Sequence, residues 1–358
     1  MLEKLVLTAR ITSPAVAHEI ITLRPPGVVG DRLRDCGIPV HSLQVRGVVS
    51  ALVAFFELVS RLGSCSPEVI VQTWMYHADL MGGLAARFAG LPRVIWNVRR
   101  SGIEPQALRA RTRLIVRACG LLSRWVPESI IVNSRRAMTA HCTLGYKPAR
   151  FVYIPNGFDA SIYTRLPAAR SELRRQWGIG DQELVVGLVA RVEPQKDHPN
   201  FIAMAKKVWQ AIPQTRFVLV GRGIPQDHAI GLAIRREALQ DRFVLCDQRS
   251  DIPAVMSALD IFCLSSRTEG FPNVLGEAMA CETPCVTTDC GDAPDILGDD
   301  TRVAPPGDPQ ALADRVIHLA LMPRNARERL GREQRRRIVE RFDIVAVWRE
   351  YLKLYARE

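Results

Sequence analysis

Short apolar segments alternate with longer amphipathic segments along almost the whole chain. Most of the short segments are rich in valine and isoleucine throughout, which is typical of parallel strands that are buried on both faces. We predict strands at 18–23, 69–74, 93–98, 129–134, 151–156, 184–189, 216–221, 242–246, 261–266 and 284–289. We predict helices between them at 77–89, 198–211, 226–239 and 273–281. This repeated strand–helix order indicates an open α/β architecture.

A segment with several proline, glycine and asparagine signals, PNGFDASIYTRLPAAR at 155–170, divides the chain into two parts of similar size. A chain of 358 residues is long enough for two domains. We predict two doubly wound Rossmann-like domains that face each other across a cleft, at residues 1–160 and 161–340. A C-terminal helix at 341–358 is expected to pack back on the first domain. Because such sheets bind ligands at the carboxyl ends of their strands, the cleft is the expected ligand site.

The chain carries 48 Lys and Arg residues against 37 Asp and Glu residues, a net charge of +11. This excess favours an anionic partner: a nucleic acid, an acidic membrane face or a phosphorylated small molecule. Aromatic residues make up only 6% of the sequence, which contains no nucleic-acid-binding motif, so we expect no nucleic-acid partner. Nine scattered cysteines without a CxxC pair favour reduced thiols and a cytoplasmic location.

Two segments combine apolar and basic residues: VVSALVAFFELVSRL at 48–62 and PQALRARTRLIVRACGLLSRWVP at 105–127. Each is either an ordinary core helix or a peripheral contact with an anionic membrane. The second interpretation would place the protein at the inner face of the plasma membrane. Neither segment is an apolar run long enough to cross a bilayer.

A metal site is not expected from the sequence. Cys281, Cys285 and Cys290 lie close together but lack a fourth ligand beside them. The chain also has no tight Asp-x-Asp pair of the kind that holds a metal-bound nucleotide.

Two glutamates lie in the segment RTEGFPNVLGEAMA, residues 267–280. Glu269 is expected in a loop at the carboxyl end of a buried strand, and Glu277 in the helix that follows, for which Asn273 is a suitable N-cap. Both carboxylates can then face one crevice, and the first N–H groups of the helix suit a phosphate. Alternatively, Glu269 is a turn residue and Glu277 lies on the surface of an ordinary helix.

Two cations follow a second buried strand, in the segment GLVARVEPQKDHPNFI at 187–202. Arg191 offers a planar fork for phosphate oxygens and Lys196 a compact positive charge. Both precede a helix, and together with the start of a helix they can stabilise a departing diphosphate without a metal. Lys196 lacks the glycine-rich frame of a P-loop, which argues against an ATPase.

Four segments, IPNGFD, ARVEPQKDH, RSDIPAVMSALDIF and RTEGFPNVLGEAMA, resemble motifs of the group 1 (family 4) retaining glycosyltransferases with the GT-B fold. The resemblance extends from about residue 15 to the end of the chain. It implies transfer of a sugar from a nucleoside-diphosphate sugar, by default a UDP-sugar, with retention at the anomeric carbon and without a metal or other cofactor. The implied acceptor is a polysaccharide, a lipopolysaccharide or a lipid-linked glycan.

The resemblance also implies roles for individual residues. Arg191 and Lys196 would hold the diphosphate, Glu277 the ribose hydroxyls, and Glu269 the hydroxyls of the transferred sugar. Further donor contacts are implied for backbone groups at Gly270, Phe271, Pro272, Asn273 and, beside the base, Leu245.

The N-terminal half is then expected to hold the acceptor. Trp74 and His77 follow the predicted strand at 69–74, where members of the family carry a histidine at or near the position of Trp74. His77 either takes over its contact with the donor sugar or is a structural residue that caps the next helix. Asn97 and Arg99, at the end of another predicted strand, are candidates for binding an anionic acceptor, unless Arg99 is simply solvated.

The start of the chain departs from the family pattern. Residues 3–23, EKLVLTARITSPAVAHEIITL, are typical of a helix followed by a strand, whereas members of the family begin with a strand and a glycine-rich loop. We therefore predict that the first strand of the N-terminal domain is missing. The alternative function is accordingly a nucleotide-sugar-binding protein without turnover; a nucleotide-sugar 2-epimerase is a third candidate.

Overall fold

The computed structural model describes residues 1–100 and 109–356. They form two compact units, Met1–Gly157 with Ile344–Glu358, and Phe158–Asp343. The two units divide between residues 157 and 158 and between 343 and 344, where the sequence predicted boundaries after residues 160 and 340.

All strands of the first unit pair in parallel, in two separate sheets. The strands are β1 (Ile20–Thr22), β2 (Val40–Ser42), β3 (Val71–Gln72), β4 (Val94–Val98), β5 (Ser129–Val132) and β6 (Phe151–Tyr153). β1 pairs with β2 alone, and the other four form a sheet in the order β3-β4-β5-β6. Among the described residues no strand joins β1 to β3, so this half has two parallel sheets where a single doubly wound sheet was expected. The predicted absence of a first strand stays a prediction.

Helices cover both faces of the four-stranded sheet. Those that precede the second unit are α1 (Leu2–Thr12), α2 (Gly27–Asp35), α3 (Val48–Gly63), α4 (Tyr76–Phe88), α5 (Ala110–Leu122) and α6 (Arg135–Thr143). The side chains of β4 alternate between the two faces, as the pleat requires. Val94 and Trp96 pack in a core with α3, α4 and α5, whereas Ile95 packs in a second core with α1.

The second unit has one six-stranded parallel sheet. Its strands are β7 (Leu184–Val189), β8 (Thr215–Val220), β9 (Phe243–Cys246), β10 (Ile261–Leu264), β11 (Cys285–Thr288) and β12 (Val303–Ala304). The order is β12-β11-β10-β7-β8-β9. β8 and β9 therefore follow β7 on one side of the sheet, and β10, β11 and β12 extend the sheet on the other side. The place where the strand order reverses lies between β7 and β10.

The helices of the second unit cover this sheet. They are α7 (Pro167–Gln176), α8 (His198–Ala211), α9 (His228–Arg236), α10 (Ile252–Ala258), α11 (Asn273–Ala280), α12 (Ala293–Leu297), α13 (Pro309–Leu321) and α14 (Arg324–Phe342). The last helix, α15 (Ile344–Tyr355), belongs to the first unit. There it packs against α1, where Trp348 Nε1 donates to Ser13 Oγ at 3.0 Å.

Each predicted strand and helix overlaps an observed one, and 184–189 and 198–211 have the predicted bounds. The sequence missed β2 and β12, which are only three and two residues long. Neither lies in a longer apolar segment such as 69–74, which revealed β3 although that strand is equally short. In the described part of the chain, no helix has the length and apolar character needed to cross a membrane.

Candidate functional site

Two neighbouring strands of the second unit lead into the segments that carry the predicted donor residues. β7 ends at Val189 and continues through a loop and a single 3₁₀ turn, Pro194–Lys196, into α8. β10 ends at Leu264 and continues through residues 265–272 into α11. Because β7 and β10 pair in parallel on either side of the reversal, both loops leave the same edge of the sheet. This is the place where open α/β sheets bind their ligands.

A lysine and a glutamate from these two loops form an ion pair. Lys196 Nζ lies 2.5 Å from Glu269 Oε1, and the two side chains are only 14% and 11% exposed. Ser266 Oγ donates to the same carboxylate oxygen at 2.8 Å. The structure therefore brings together two of the four charged residues that the sequence singled out, although they are 73 positions apart.

Further hydrogen bonds join the two loops. Arg267 N donates to Gln195 O at 2.8 Å, and Ser265 Oγ donates to Lys196 O at 3.0 Å. Arg267 Nε donates to Asp197 Oδ2 at 2.7 Å. Asp197 has a φ of 49° and caps α8, whose Asn200 N donates to its other carboxylate oxygen. These bonds hold the Lys196 backbone in one position.

A third loop, which follows β11, packs against the backbone of Glu269 and Gly270. Gly291 has a φ of +55°, and a Cβ at this position would lie 2.3 Å from Glu269 O and 2.4 Å from Gly270 O. Asp292 N donates to Gly270 O at 2.9 Å. Sequence reasoning missed this support, although a glycine directly after a buried strand is a recognisable signal of close backbone approach.

Glu277 lies on α11, half-buried, beside Tyr163. The pKa of the Tyr163 hydroxyl is raised by burial and, next, by the charge of Glu277 and a hydrogen bond to it. Sequence reasoning missed Tyr163. The predicted N-cap was wrong by one residue: Pro272 is the cap and Asn273 is the first helical residue, because Pro272 has extended backbone angles.

Arg191 lies directly beyond β7 but does not join the buried pair. Its side chain is 70% exposed, and its Nη2 lies 3.1 Å from Glu193 Oε1. Phe271, expected to help position the sugar through its backbone, has a buried side chain that stacks on Phe158. Leu245 lies in β9, in register with Leu219 of β8.

In the first unit, Asn97 and Arg99 form a polar cluster with α15. Arg99 donates to Asn97 Oδ1 at 2.7 Å and also to Asn156 Oδ1 and Tyr351 OH. Asn97 is buried and its Nδ2 donates to Tyr351 OH at 3.3 Å. Arg99 is therefore not simply solvated. Both residues hold α15 at the ends of the strands, and their contact with an acceptor stays a prediction.

Trp74 and His77 lie between β3 and the first turn of α4. The Arg99 guanidinium lies over the Trp74 ring, 4.9 Å from its centroid. Met75, between them, has a φ of 73° and is the N-cap of α4, without a side-chain capping bond. The interpretation of His77 as a helix cap was therefore wrong. Burial and, less strongly, Arg24 lower the pKa of His77, which favours its neutral form.

Within residues 1–100 and 109–356, no three His, Cys, Asp or Glu side chains are grouped so as to hold a metal ion. Cys281, Cys285 and Cys290 are buried thiols.

Residues 183–321 match the family model of the group 1 glycosyl transferases. This segment contains β7, β10 and the Lys196–Glu269 pair. The chain therefore contains a group 1 glycosyl transferase domain. Its α/β fold with parallel sheets is the GT-B fold, which the solved structures below share.

The chain is similar in sequence to two glycosyltransferases. It is 29% identical over 338 residues to 2-deoxystreptamine N-acetyl-D-glucosaminyltransferase of Streptomyces fradiae, covering 86% of this chain and 78% of the relative. It is 28% identical over 245 residues to the UDP-Gal:alpha-D-GlcNAc-diphosphoundecaprenol alpha-1,3-galactosyltransferase of Escherichia coli, covering 67% of this chain and 62% of that enzyme.

Among solved structures, Anabaena Alr3699/HepE in complex with UDP superposes with a TM-score of 0.83 and 23% sequence identity, over 98% of this chain and 95% of that chain. Sucrose-phosphate synthase from Thermosynechococcus elongatus superposes with a TM-score of 0.76 and 19% identity, over 98% and 91%. Likeness at this level of identity establishes the fold.

Proposed function

We propose that the protein is a glycosyltransferase that takes its sugar from a nucleoside-diphosphate sugar, with UDP as the nucleotide, bound at the edge of the second unit's sheet where β7 and β10 end. The observation that carries the proposal is the contact between Lys196 Nζ and Glu269 Oε1 at 2.5 Å. A cation and a carboxylate side by side match a donor with an anionic diphosphate and a sugar rich in hydroxyls. The UDP complexes of the Anabaena neighbour support this choice of nucleotide.

In this proposal, Lys196 and Arg191 bind the diphosphate, Glu269 the sugar hydroxyls and Glu277 the ribose hydroxyls. The Lys196 ammonium has three N–H groups, and the contact with Glu269 uses one, so that others can reach phosphate oxygens. The backbone N–H groups of Gly270, Phe271 and Asn273, before and at the start of α11, add donors and the positive end of the helix dipole. The base lies beside Leu245.

The chemistry follows from where charge develops. As the bond to the diphosphate breaks, negative charge grows on the leaving oxygen and positive charge on the anomeric carbon. Lys196 is preorganised for the first of these, because the bonds from Ser265 and Arg267 fix its loop before the substrate arrives. We propose that the acceptor attacks from the face that the phosphate leaves, with retention, and that protein cations neutralise the diphosphate without a metal.

The acceptor is proposed to be a polysaccharide, lipopolysaccharide or lipid-linked glycan, bound by the first unit near Trp74 and His77. The name of the Escherichia coli relative, which includes a diphosphoundecaprenol acceptor, supports a lipid-linked glycan. We place the reaction in the cytoplasm.

The proposal is tested by calorimetry with UDP. Lys196→Ala is expected to weaken UDP binding by about 10- to 100-fold, since it removes a charged hydrogen-bond donor. Lys207→Ala, in the third turn of the following helix α8, is the matched control and should bind like the wild type. Equal affinities of the Lys196→Ala variant and the wild type would remove Lys196 from the donor site.

A second measurement separates the role of Glu269. Glu269→Gln should lower turnover of a UDP-sugar more than it lowers affinity for UDP, because the proposed contact is with the sugar. Equal losses in the two measurements would contradict that assignment. Wild-type UDP binding without sugar release to water or to any acceptor tested would favour the alternative of a binding protein.

A further inference from the structure

Helix α3 presents an apolar face to solvent. Four large apolar side chains on it are between 58% and 77% exposed: Val49, Leu52, Val53 and Phe56. The opposite side of the same helix is buried through Leu58 and Leu62. At 100° per residue the exposed four lie about half a turn from that buried side. They are therefore not the edge of the core but an outward face.

Helix α5 has a second face of the same kind. Leu114, Leu121 and Trp125 just beyond the helix end are 67% to 70% exposed. Leu114 and Leu121 are seven residues apart and therefore lie on one side of the helix, and Trp125 is exposed in the turn that follows it. The buried residues Val116 and Cys119 lie on the other side, against the sheet.

Both helices belong to one layer of the first unit. Residues of α3, α4 and α5 share a core with the same face of β4, and α3 and α5 each pack on α4. The outward faces of α3 and α5 therefore lie on the side of this layer that is away from the sheet. Phe88, at the end of α4, is also exposed and contacts Phe55 of α3 edge-on.

The charge beside the α5 face is positive, whereas α3 carries one acid, the exposed Glu57, and one arginine, Arg61. Residues 109–127 contain five arginines and no acidic residue. All five arginines are exposed: Arg109, Arg111, Arg113, Arg117 and Arg124. A solubilising protein surface normally mixes both signs of charge, and an apolar strip flanked by arginines and an aromatic residue is typical of a helix that lies on an anionic membrane.

We propose that the outward faces of α3 and α5, hereafter the docking face, bind the surface of a bilayer that contains anionic phospholipids. The apolar side chains would enter the boundary between headgroups and acyl chains, and the arginines of α5 would contact lipid phosphates. The inference rests on the proposed function in one respect: a lipid-linked acceptor would be presented at such a surface.

Sedimentation with vesicles tests the docking face directly. The purified full-length protein is mixed with vesicles of phosphatidylcholine alone or of phosphatidylcholine and phosphatidylglycerol in equal amounts. Binding to the anionic vesicles is expected to be much stronger and to weaken as salt is added, because part of the attraction is electrostatic. Equal binding to both vesicles, or to neither, would overturn the proposal.

Paired variants locate the contact. Leu121→Gln with Trp125→Gln should lower affinity for anionic vesicles by about 10-fold or more, since each removes apolar surface from the acyl boundary. Arg111→Gln with Arg117→Gln should lower it by about 5-fold per arginine. The substituted side chains are exposed, so these variants should fold and keep the affinity of the wild type for UDP.

The matched control is Leu321→Ser with Arg336→Gln, an exposed apolar residue and an exposed arginine in the second unit. It should bind vesicles like the wild type, and an equal loss in this variant would overturn the assignment to the docking face. A stable dimer in solution that Leu121→Gln with Trp125→Gln dissociates would show that a second copy covers the face instead. UDP affinity is measured separately in solution, so failure of the donor-site proposal would be visible apart from failure of this one.

Discussion

Asp79 provides the sharpest test of the physical reasoning, because it is a carboxyl group completely buried in the first unit. It lies in the first turn of α4, and its Oδ1 accepts a hydrogen bond from Thr73 Oγ1 at 2.6 Å. Burial raises its pKa from 3.8 to about 7, against the smaller lowering effects of the bonds from Thr73 and the Asn97 backbone. The native state therefore prefers the protonated acid.

The sign and size of the effect follow from linkage. A raised native pKa means that the stabilising contribution is complete at low pH and is lost as the pH rises through about 7. Integrated between pH 5 and pH 8, the loss of unfolding free energy is about 2.5 kcal/mol, and the whole difference between the two pKa values corresponds to about 4 kcal/mol. Asp79→Asn replaces the acid with a neutral group of the same shape and removes this dependence.

The assay is urea unfolding at several pH values, followed by hydrogen exchange of peptides that contain β4, which report the first unit. The stability of Asp79→Asn relative to the wild type should increase by about 2.5 kcal/mol from pH 5 to pH 8. Asp35→Asn, an exposed acid of α2, is the control and should show no such trend. A difference between Asp79→Asn and the wild type that does not change with pH would contradict the raised pKa of Asp79.

Three further predictions concern the second unit. Gly276→Ala should destabilise it by about 1–3 kcal/mol in thermal unfolding, because the new Cβ would lie 2.1 Å from the Phe158 ring. Gly231→Ala, in α9, should stabilise it by about 0.5–1 kcal/mol in the same assay, because the new Cβ would make only an ordinary contact, 3.5 Å from Arg235 Nη1; a loss of stability would contradict this. Asp260→Ala should cost about 3–5 kcal/mol in urea unfolding, because it leaves Arg174, 2% exposed, without its carboxylate at 2.5 Å; a change below about 1 kcal/mol would contradict this.

Much of the fold could be predicted from local pattern. The strand at 184–189 and the helix at 198–211 were predicted with the bounds observed, because valine-rich and amphipathic segments report which side chains must be buried. The motif at 267–280 indicated the resemblance to the group 1 glycosyltransferases. The apolar segment before it predicted the buried strand β10 and therefore the loop that carries Glu269.

The site itself could be predicted only in part. Arg191 and Lys196 look equivalent in the sequence, as two cations beyond one strand, yet Lys196 is paired and mostly buried while Arg191 extends into solvent. Arg99 looked like a residue for an acceptor, and its partner Tyr351 lies 252 positions away. A local sequence pattern carries no information about contacts between residues so far apart in the chain.

The order of strands and helices, the division into two parts and the resemblance to the group 1 glycosyltransferases could all be inferred from the sequence, since each depends on residues close together in the chain. The contact of Lys196 with Glu269, the bonds from Asn97 and Arg99 to the last helix, and the outward apolar face of α3 are visible only in the folded protein. These contacts depend on the order of the strands in a sheet and on the packing of segments that are distant in the chain. The spacing of apolar residues predicts whether a side chain is buried or exposed, but not which residue it contacts.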